Sequence, residues 1–373
     1  MIAALREARY PQPAMSASSY PVHWSRGVHL PLCDLWLDPR DRRDLAVVSH
    51  AHGDHIARHR AVVCTEPTFR LLSHRVRGSV EPRVLAYGEE LDLGEATVSL
   101  HPAGHVLGAA QALVRHRGVR VLYSGDIRVR PSLSCAPLEH VDADVLIVES
   151  TFGHQRYRFP DPAETAARVT RWCEMALAEG HTPVLLAYSL GKAQELLCRL
   201  RDSGLRVLLH PAVHAIAHIY RECGVDLPHH GRLGGEERAG SVRQAAGYAE
   251  EDVDPLGTDE AVDPDLLPSG AVVVVPPHLA ASRTVRRLGP VRRAALTGWA
   301  LDPWTADRLH CDTAFPLSDH ADFDELVTYV LASGASRVFT LHGFADDLAR
   351  HLRSRGLQAS PLRSAEQLAL ALV

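Results

Sequence analysis

The chain has 373 residues, 46% of them hydrophobic and 23% charged, with a net charge of −5. That length supports a large core or two linked units. The slightly acidic balance excludes a protein coated all over in nucleic acid, so any such contact must be local. No apolar run approaches the ~18 residues of a membrane-crossing helix. Met1 to Ser19 lacks the apolar stretch of a secretion signal and reads as an N-terminal extension. The seven cysteines are scattered, without a Cys-x-x-Cys pair, which fits reduced thiols and a cytoplasmic location. Lys192 is the one lysine; the other basic residues are arginines.

The first third alternates short apolar runs with turns. Trp36–Asp38, Leu45–Ser49, Val62–Cys64, Thr97–His101, Gln111–Arg115, Arg120–Tyr123 and Asp144–Val148 read as strands. A helix is expected to begin inside 50–55, with Asp54 near its N-terminus, and another over Pro67–Arg77. Pro162–Glu179 reads as an amphipathic helix stopped by Gly180. The pattern then becomes strand-then-helix: 183–188 into 191–202, and 206–209 into 212–223, followed by strands at 272–275 and 294–297. Such alternation predicts a parallel sheet in a separate α/β unit. The acid-rich stretch Glu250–Pro268 reads as a solvated loop. From about Phe315 come a helix over 319–332, a strand over 337–341 and a final helix–strand–helix.

The organising stretch is His50-Ala51-His52-Gly53-Asp54-His55, at the exit of the apolar run Leu45–Ser49. Imidazole nitrogens and carboxylate oxygens are what a divalent transition metal takes at neutral pH. The spacing differs from the His-Glu-x-x-His of helical zinc proteases. Gly104-His105, Ser124-Gly125-Asp126 and Leu341-His342-Gly343 repeat the same arrangement, a ligand-type residue beside glycine after a strand. Ser189-Leu190-Gly191-Lys192 opens a helix after a strand. It is not a Walker A loop, because Leu186 stands where that loop needs glycine. Helix N-terminal amides plus a lysine can still hold an anion. His214, His218, His229 and His230 read as ordinary core or surface histidines. Arg283, Arg286, Arg287, Arg292 and Arg293 could line a strand-binding groove or form a solvated face.

In order and type, His50-x-His52-x-Asp54-His55, Gly104-His105 and Ser124-Gly125-Asp126 resemble the metallo-β-lactamase superfamily. Glu149-Ser150-Thr151-Phe152-Gly153, Ser318-Asp319-His320-Ala321-Asp322 and Leu341-His342-Gly343 resemble motifs A, B and C of its β-CASP nuclease branch. Gly104 to Gln111, Cys135-Ala136-Pro137 and Tyr188 to Gln194 resemble the bacterial DNA-ligase-associated exonucleases within that branch. The resemblance spans about residues 23–345. It implies an α/β fold, an αββα metallo-β-lactamase sandwich from residues 20–182 and 313–373 with a β-CASP cap inserted at 183–312.

The resemblance also implies roles. His50, His52 and His105 would hold one metal ion, and Asp54, His55 and His342 the second, with Asp126 bridging. The ions would be zinc, with manganese as the alternative, and would activate a hydroxide against the phosphodiester. Asp54, Glu149 and His320 would serve catalysis, Glu149 by orienting a histidine and His320 as phosphate contact or general acid. Ser189 and Lys192 would hold a terminal 5′-phosphate. The implied function is DNA exonuclease action in repair, alongside a DNA ligase and a helicase. The rivals are an RNA-processing β-CASP ribonuclease, a non-catalytic nucleic-acid-binding subunit and a small-molecule hydrolase on the same core. One departure is Phe344, where motif C usually carries glutamate.

Overall fold

The structure is a computed structural model and describes residues 16–234 and 261–363. The Met1–Met15 part of the N-terminal extension, most of the acid-rich stretch and the last expected helix lie outside the described residues. Strands β1 (His23–Trp24), β2 (Val28–Leu30), β3 (Leu35–Leu37), β4 (Leu45–Val47), β5 (Ala61–Cys64) and β6 (Glu81–Val84) form one sheet in that order. A second sheet holds β7 (Glu90–Asp92), β8 (Thr97–Pro102), β9 (Ala110–His116), β10 (Val119–Tyr123) and β11 (Val145–Glu149). Late in the chain, β18 (Arg337–Leu341) and β19 (Gln358–Pro361) extend it, in the order β19-β18-β11-β10-β9-β8-β7.

Strand alternation separates the two faces of this second sheet. Val145 and Ile147 of β11 join a core with Val28, Leu30, Leu37, Val47 and Val63 of the first sheet. Their neighbours Leu146 and Val148 point the other way, onto Leu326, Val330, Leu348 and Leu352 of helices Phe323–Ala332 and Ala345–Ser354. The first sheet's outer residues, Val62 and Cys64, meet Leu72 of helix Glu66–Arg75. Apolar side chains thus fill the contact between the two sheets and the contacts of each with its helices.

The third sheet is parallel throughout. It orders β14 (Gly231–Arg232), β13 (Arg206–Leu209), β15 (Ala271–Val275), β12 (Thr182–Leu186), β16 (Val291–Leu296) and β17 (Thr313–Phe315). Both of its faces are buried, as parallel sheets require. Leu185, Leu209, Val272 and Val274 face helices Lys192–Arg199 and Pro211–Glu222, while Val184, Leu208 and Val273 face Val285 and Leu288. Helix Pro162–Ala178 adds Val169 and Cys173 to the first of these cores. That core also takes in Ala51 and Leu107, so the third sheet abuts the His50–His55 loop.

Residues 51–60 form turns rather than the helix expected there. The carbonyls a helix would use are otherwise engaged. Arg75 Nη1 donates to Ala51 O at 2.6 Å, and Arg40 Nε donates to Asp54 O at 3.1 Å. The amide of His55 reaches His52 O in a single tight turn. The late helix begins at Phe323 rather than 319, because the Asp322 carboxylate accepts from the Glu325 amide and the Glu325 carboxylate accepts from the Asp322 amide. No helix among the described residues is long and apolar enough to cross a membrane.

Candidate metal centre

The site lies where the second sheet's strand exits meet the third sheet's unit. His50 follows β4, His105 follows β8, Asp126 follows β10, Glu149 ends β11 and His342 follows β18. β8, β10, β11 and β18 run in the same direction in the second sheet, so their exits share one edge, and β4 of the first sheet brings His50 within 3.5 Å of Asp126 there. His342 and Gly343 take consecutive left-handed turns, with φ of 63° and 46°. A Cβ at Gly343 would lie 2.4 Å from Ser150 O, so glycine is required there.

His50 Nε2 lies 3.1 Å from His52 Nδ1, and His105 Nε2 lies 3.0 Å from the same atom. The other ring nitrogen of each histidine is already engaged. His105 Nδ1 donates to Asp319 O at 2.8 Å, and His52 Nε2 donates to Leu190 O at 3.2 Å. His50 Nδ1 meets Ser49 Oγ at 3.0 Å, and that hydroxyl donates onward to Asp38. These contacts set the tautomers, so three lone pairs converge. Burial lowers the pKa of His50, His52 and His105, the last to about 3, which favours neutral rings. One ligand atom from each of His50, His52, His105 and Asp126 lies within 4.8 Å of the others. Neutral nitrogens facing each other at this range beside a buried carboxylate repel unless a cation sits between them. The donor set therefore fits a divalent metal ion.

A second group adjoins it. His55 Nε2 lies 3.4 Å from Asp126 Oδ2 and 3.7 Å from Asp54 Oδ2. Burial works against charge on His55, but Asp126 and Asp38 outweigh it and raise its pKa. The carboxylates here thus call for a positive charge, which a bound cation would supply. This group is looser than the first. Asp54 leaves 60% of its side chain exposed, and the His342 ring stands 5.9 Å from that of His55. Trp24 packs edge-on against His342 at 5.4 Å. Asp126 is buried between the two groups and stays ionised. Burial opposes that charge, but His55, His320 and His50 hold the pKa far below the carboxylate range.

Asp38 was not among the residues singled out from sequence, yet it organises one side of the site. It accepts hydrogen bonds from Ser49 N at 2.7 Å, from Ser49 Oγ, from Tyr123 OH at 2.9 Å and from His55 Nδ1 at 2.7 Å. Asp38 therefore turns His55 Nε2 towards Asp126. A signal was available, since Asp38 leaves strand β3 as His50 leaves β4.

On the other side, Glu149 accepts from Ile127 N at 3.0 Å, Thr151 N at 3.1 Å and His320 Nδ1 at 2.9 Å. The His320 ring lies 4.6 Å from that of His105. Burial disfavours its charged form, but Glu149 and Asp126 prevail and raise its pKa to about 9.

At the expected phosphate cradle, the structure engages Lys192 within the fold. Ser189 is half-buried, but Lys192 is only 4% exposed and its ammonium pairs with Asp319 Oδ1. Holding a strand end would mean breaking a buried ion pair. Gly191 explains the tight approach, since at φ +88° a Cβ would lie 2.3 Å from Val106 Cγ1. The segment's nearer tie to the site is the Leu190 carbonyl that orients His52.

Several other histidines and arginines have partners away from the centre. His218 pairs with Glu222 at 3.2 Å, and the His214 ring lies 5.7 Å from that of His230. In the arginine run, Arg287 pairs with Asp263 and Asp265, and Arg292 with Glu179. Arg128 pairs with Glu195, Arg130 with Asp322 and Glu325, and Arg158 with Asp324.

No protein-family model matches the chain. It is 38% identical over 94% of its length to a protein of Opitutus terrae named a probable DNA ligase, and it spans only 32% of that protein. It is 28% identical to a ribonuclease of Thermus thermophilus over 46% of this chain and 45% of that protein. A solved structure of a protein of unknown function from Enterococcus faecalis superposes with a TM-score of 0.55 at 15% identity. That superposition covers 82% of this chain and 76% of the other, a likeness of fold.

Proposed function

Because this chain belongs to the β-CASP nuclease branch of the metallo-β-lactamase superfamily, we propose that it is a metal-dependent nuclease hydrolysing DNA phosphodiester bonds, an exonuclease of DNA repair. The observation that carries the reading is the convergence of His50, His52 and His105 on Asp126, with His55 on its far side. In this reading residues 20–182 and 313–373 form the four-layer nuclease core, residues 183–312 are the cap and residues 1–19 an extension. His50, His52 and His105 would hold one divalent ion, zinc in first place. Asp54, His55 and His342 would hold the other, and Asp126 would face both. Such ions lower the pKa of water and neutralise charge building on the phosphate.

The chain's own residues do the rest. Ser49, Leu190 O and Asp319 O fix the tautomers of His50, His52 and His105 with their inner nitrogens unprotonated, and Asp38 turns the inner nitrogen of His55 towards Asp126. Glu149 holds the proton on His320 Nδ1, leaving the other ring nitrogen to contact the phosphate or to protonate the leaving oxygen. The complete set of inward-facing nitrogens speaks against a non-catalytic subunit.

The DNA assignment draws on the match across 94% of the chain to a protein named a probable DNA ligase, and the same match makes a ligase the partner of choice. The similar ribonuclease and the histidine at position 342 favour the second reading, an RNA-processing enzyme. Initial rates on matched end-labelled DNA and RNA, with 5′-phosphate or 5′-hydroxyl ends, decide between them. The expected result is faster cleavage of DNA. Faster cleavage of RNA moves the protein to the ribonuclease reading, and no cleavage of either removes the nuclease assignment.

A further inference from the structure

Beyond the metal centre, an open groove of about 430 Å³ is lined by Arg156, Asp302, Pro303, Trp304, Thr305 and Arg308. That is nucleoside-sized, since ligand pockets run roughly 300–1,000 Å³. Trp304 is 74% exposed, although tryptophan is costly to leave in water. It is held out because Pro303 and Trp304 lead into a short helix whose Thr305 is buried and donates to Trp299 O. Arg308 follows one helical turn later, exposed and without an acidic partner among the described residues. Arg156 stands on the other wall. It lies 4.7 Å above the Tyr157 ring and 5.3 Å from that of Phe344, with Asp302 at a loose 3.6 Å.

The groove is joined to the metal centre by packed rings. Phe152 lies 6.0 Å from His320 and 4.7 Å from Trp299, which meets Tyr157 at 5.4 Å. Tyr157 OH donates to Asp302 at 3.0 Å in the groove wall. Phe344 sits in this stack, against Tyr157 at 5.3 Å. It occupies the position where motif C usually carries glutamate. Arg156 donates to Tyr157 OH at 2.6 Å, which holds its half-exposed guanidinium over this stack at the groove.

We propose that this groove binds single-stranded polynucleotide running from the metal centre, one base stacking on Trp304 and phosphates meeting Arg308 and Arg156. A stacking ring flanked by cations is how single strands are held without sequence preference. The proposal rests on the nuclease reading and adds a path for the substrate.

The test is fluorescence anisotropy of labelled, cleavage-resistant phosphorothioate oligothymidylate and oligouridylate with the full-length metal-loaded protein. Trp304→Ala should weaken binding by about 10-fold, in line with the loss of one base–aromatic stack. Arg308→Glu should weaken binding and flatten its dependence on salt. Both side chains are exposed, so neither change threatens folding. Dependence on Trp304 with either polymer supports the groove, and the tighter polymer identifies the sugar it accepts. Wild-type affinity of both variants for both polymers overturns it, as does binding of single strands no tighter than of blunt duplex. Hydrolysis of bis-p-nitrophenyl phosphate by the wild type reports the nuclease reading separately. Its absence alongside Trp304-dependent binding sinks the reading and leaves the groove standing.

Discussion

His320→Ala should keep its metal ions and lose cleavage by ~10²–10⁴, the usual scale of general acid catalysis. His320 lies outside the tight nitrogen cluster but beside it, 4.6 Å ring to ring from His105. Its Nδ1 is committed to Glu149 at 2.9 Å, and Phe152 backs the ring at 6.0 Å. That fixes the ring's orientation and leaves one nitrogen to act on substrate. Elemental analysis and single-turnover cleavage on the same preparation separate the possibilities. Loss of a metal ion in the variant would make His320 a ligand and undo the assignment of His342 to that place.

Lys192→Ala should cost about 3–5 kcal/mol of folding stability, the usual penalty for leaving one partner of a buried ion pair uncompensated. Both partners are buried, Lys192 at 4% and Asp319 at 5% exposure. Burial alone would raise the Asp319 pKa, but Lys192 and the neighbouring histidines hold it far below the carboxylate range. The consequence reaches the metal centre, because the Asp319 carbonyl fixes His105 and the Leu190 carbonyl fixes His52. Urea titration should show the stability loss, and chelator competition a weaker hold on metal. Lys192→Met combined with Asp319→Leu should recover much of the stability, since no charge then stays buried alone. Unchanged stability of Lys192→Ala, with a selective loss of preference for 5′-phosphate ends, would return Lys192 to the phosphate-binding role its sequence context suggests.

The residues that were legible in the sequence share one property. His50, His105, Asp126, Glu149 and His342 sit at or just past the ends of apolar strands; the last four leave one edge of the second sheet, and His50 leaves the first sheet beside it. A one-dimensional pattern therefore carried three-dimensional meaning. The less legible parts depend on partners distant in sequence. Lys192 looked available because its partner, Asp319, lies 127 residues away. The helix expected at 50–55 was lost to carbonyl capture by Arg40 and Arg75, which local propensity does not register. Strands β1 and β14, of two residues each, are too short to show alternation. Asp38 could have been found by the strand-exit rule, but it lacked a neighbouring histidine or glycine to draw notice. Phe344 stood out as a departure from a motif, and only its packing on Tyr157 and Arg156 gave it a place.

The metal content of the protein, purified without added metal, bears most directly on the proposed centre of His50, His52, His105, Asp54, His55, His342 and Asp126. Plasma emission analysis against protein concentration should return two divalent ions per chain, chiefly zinc, with both metal and cleavage lost in Asp126→Ala. One ion or none, with no further uptake on titration with zinc or manganese, would contradict the two-ion centre.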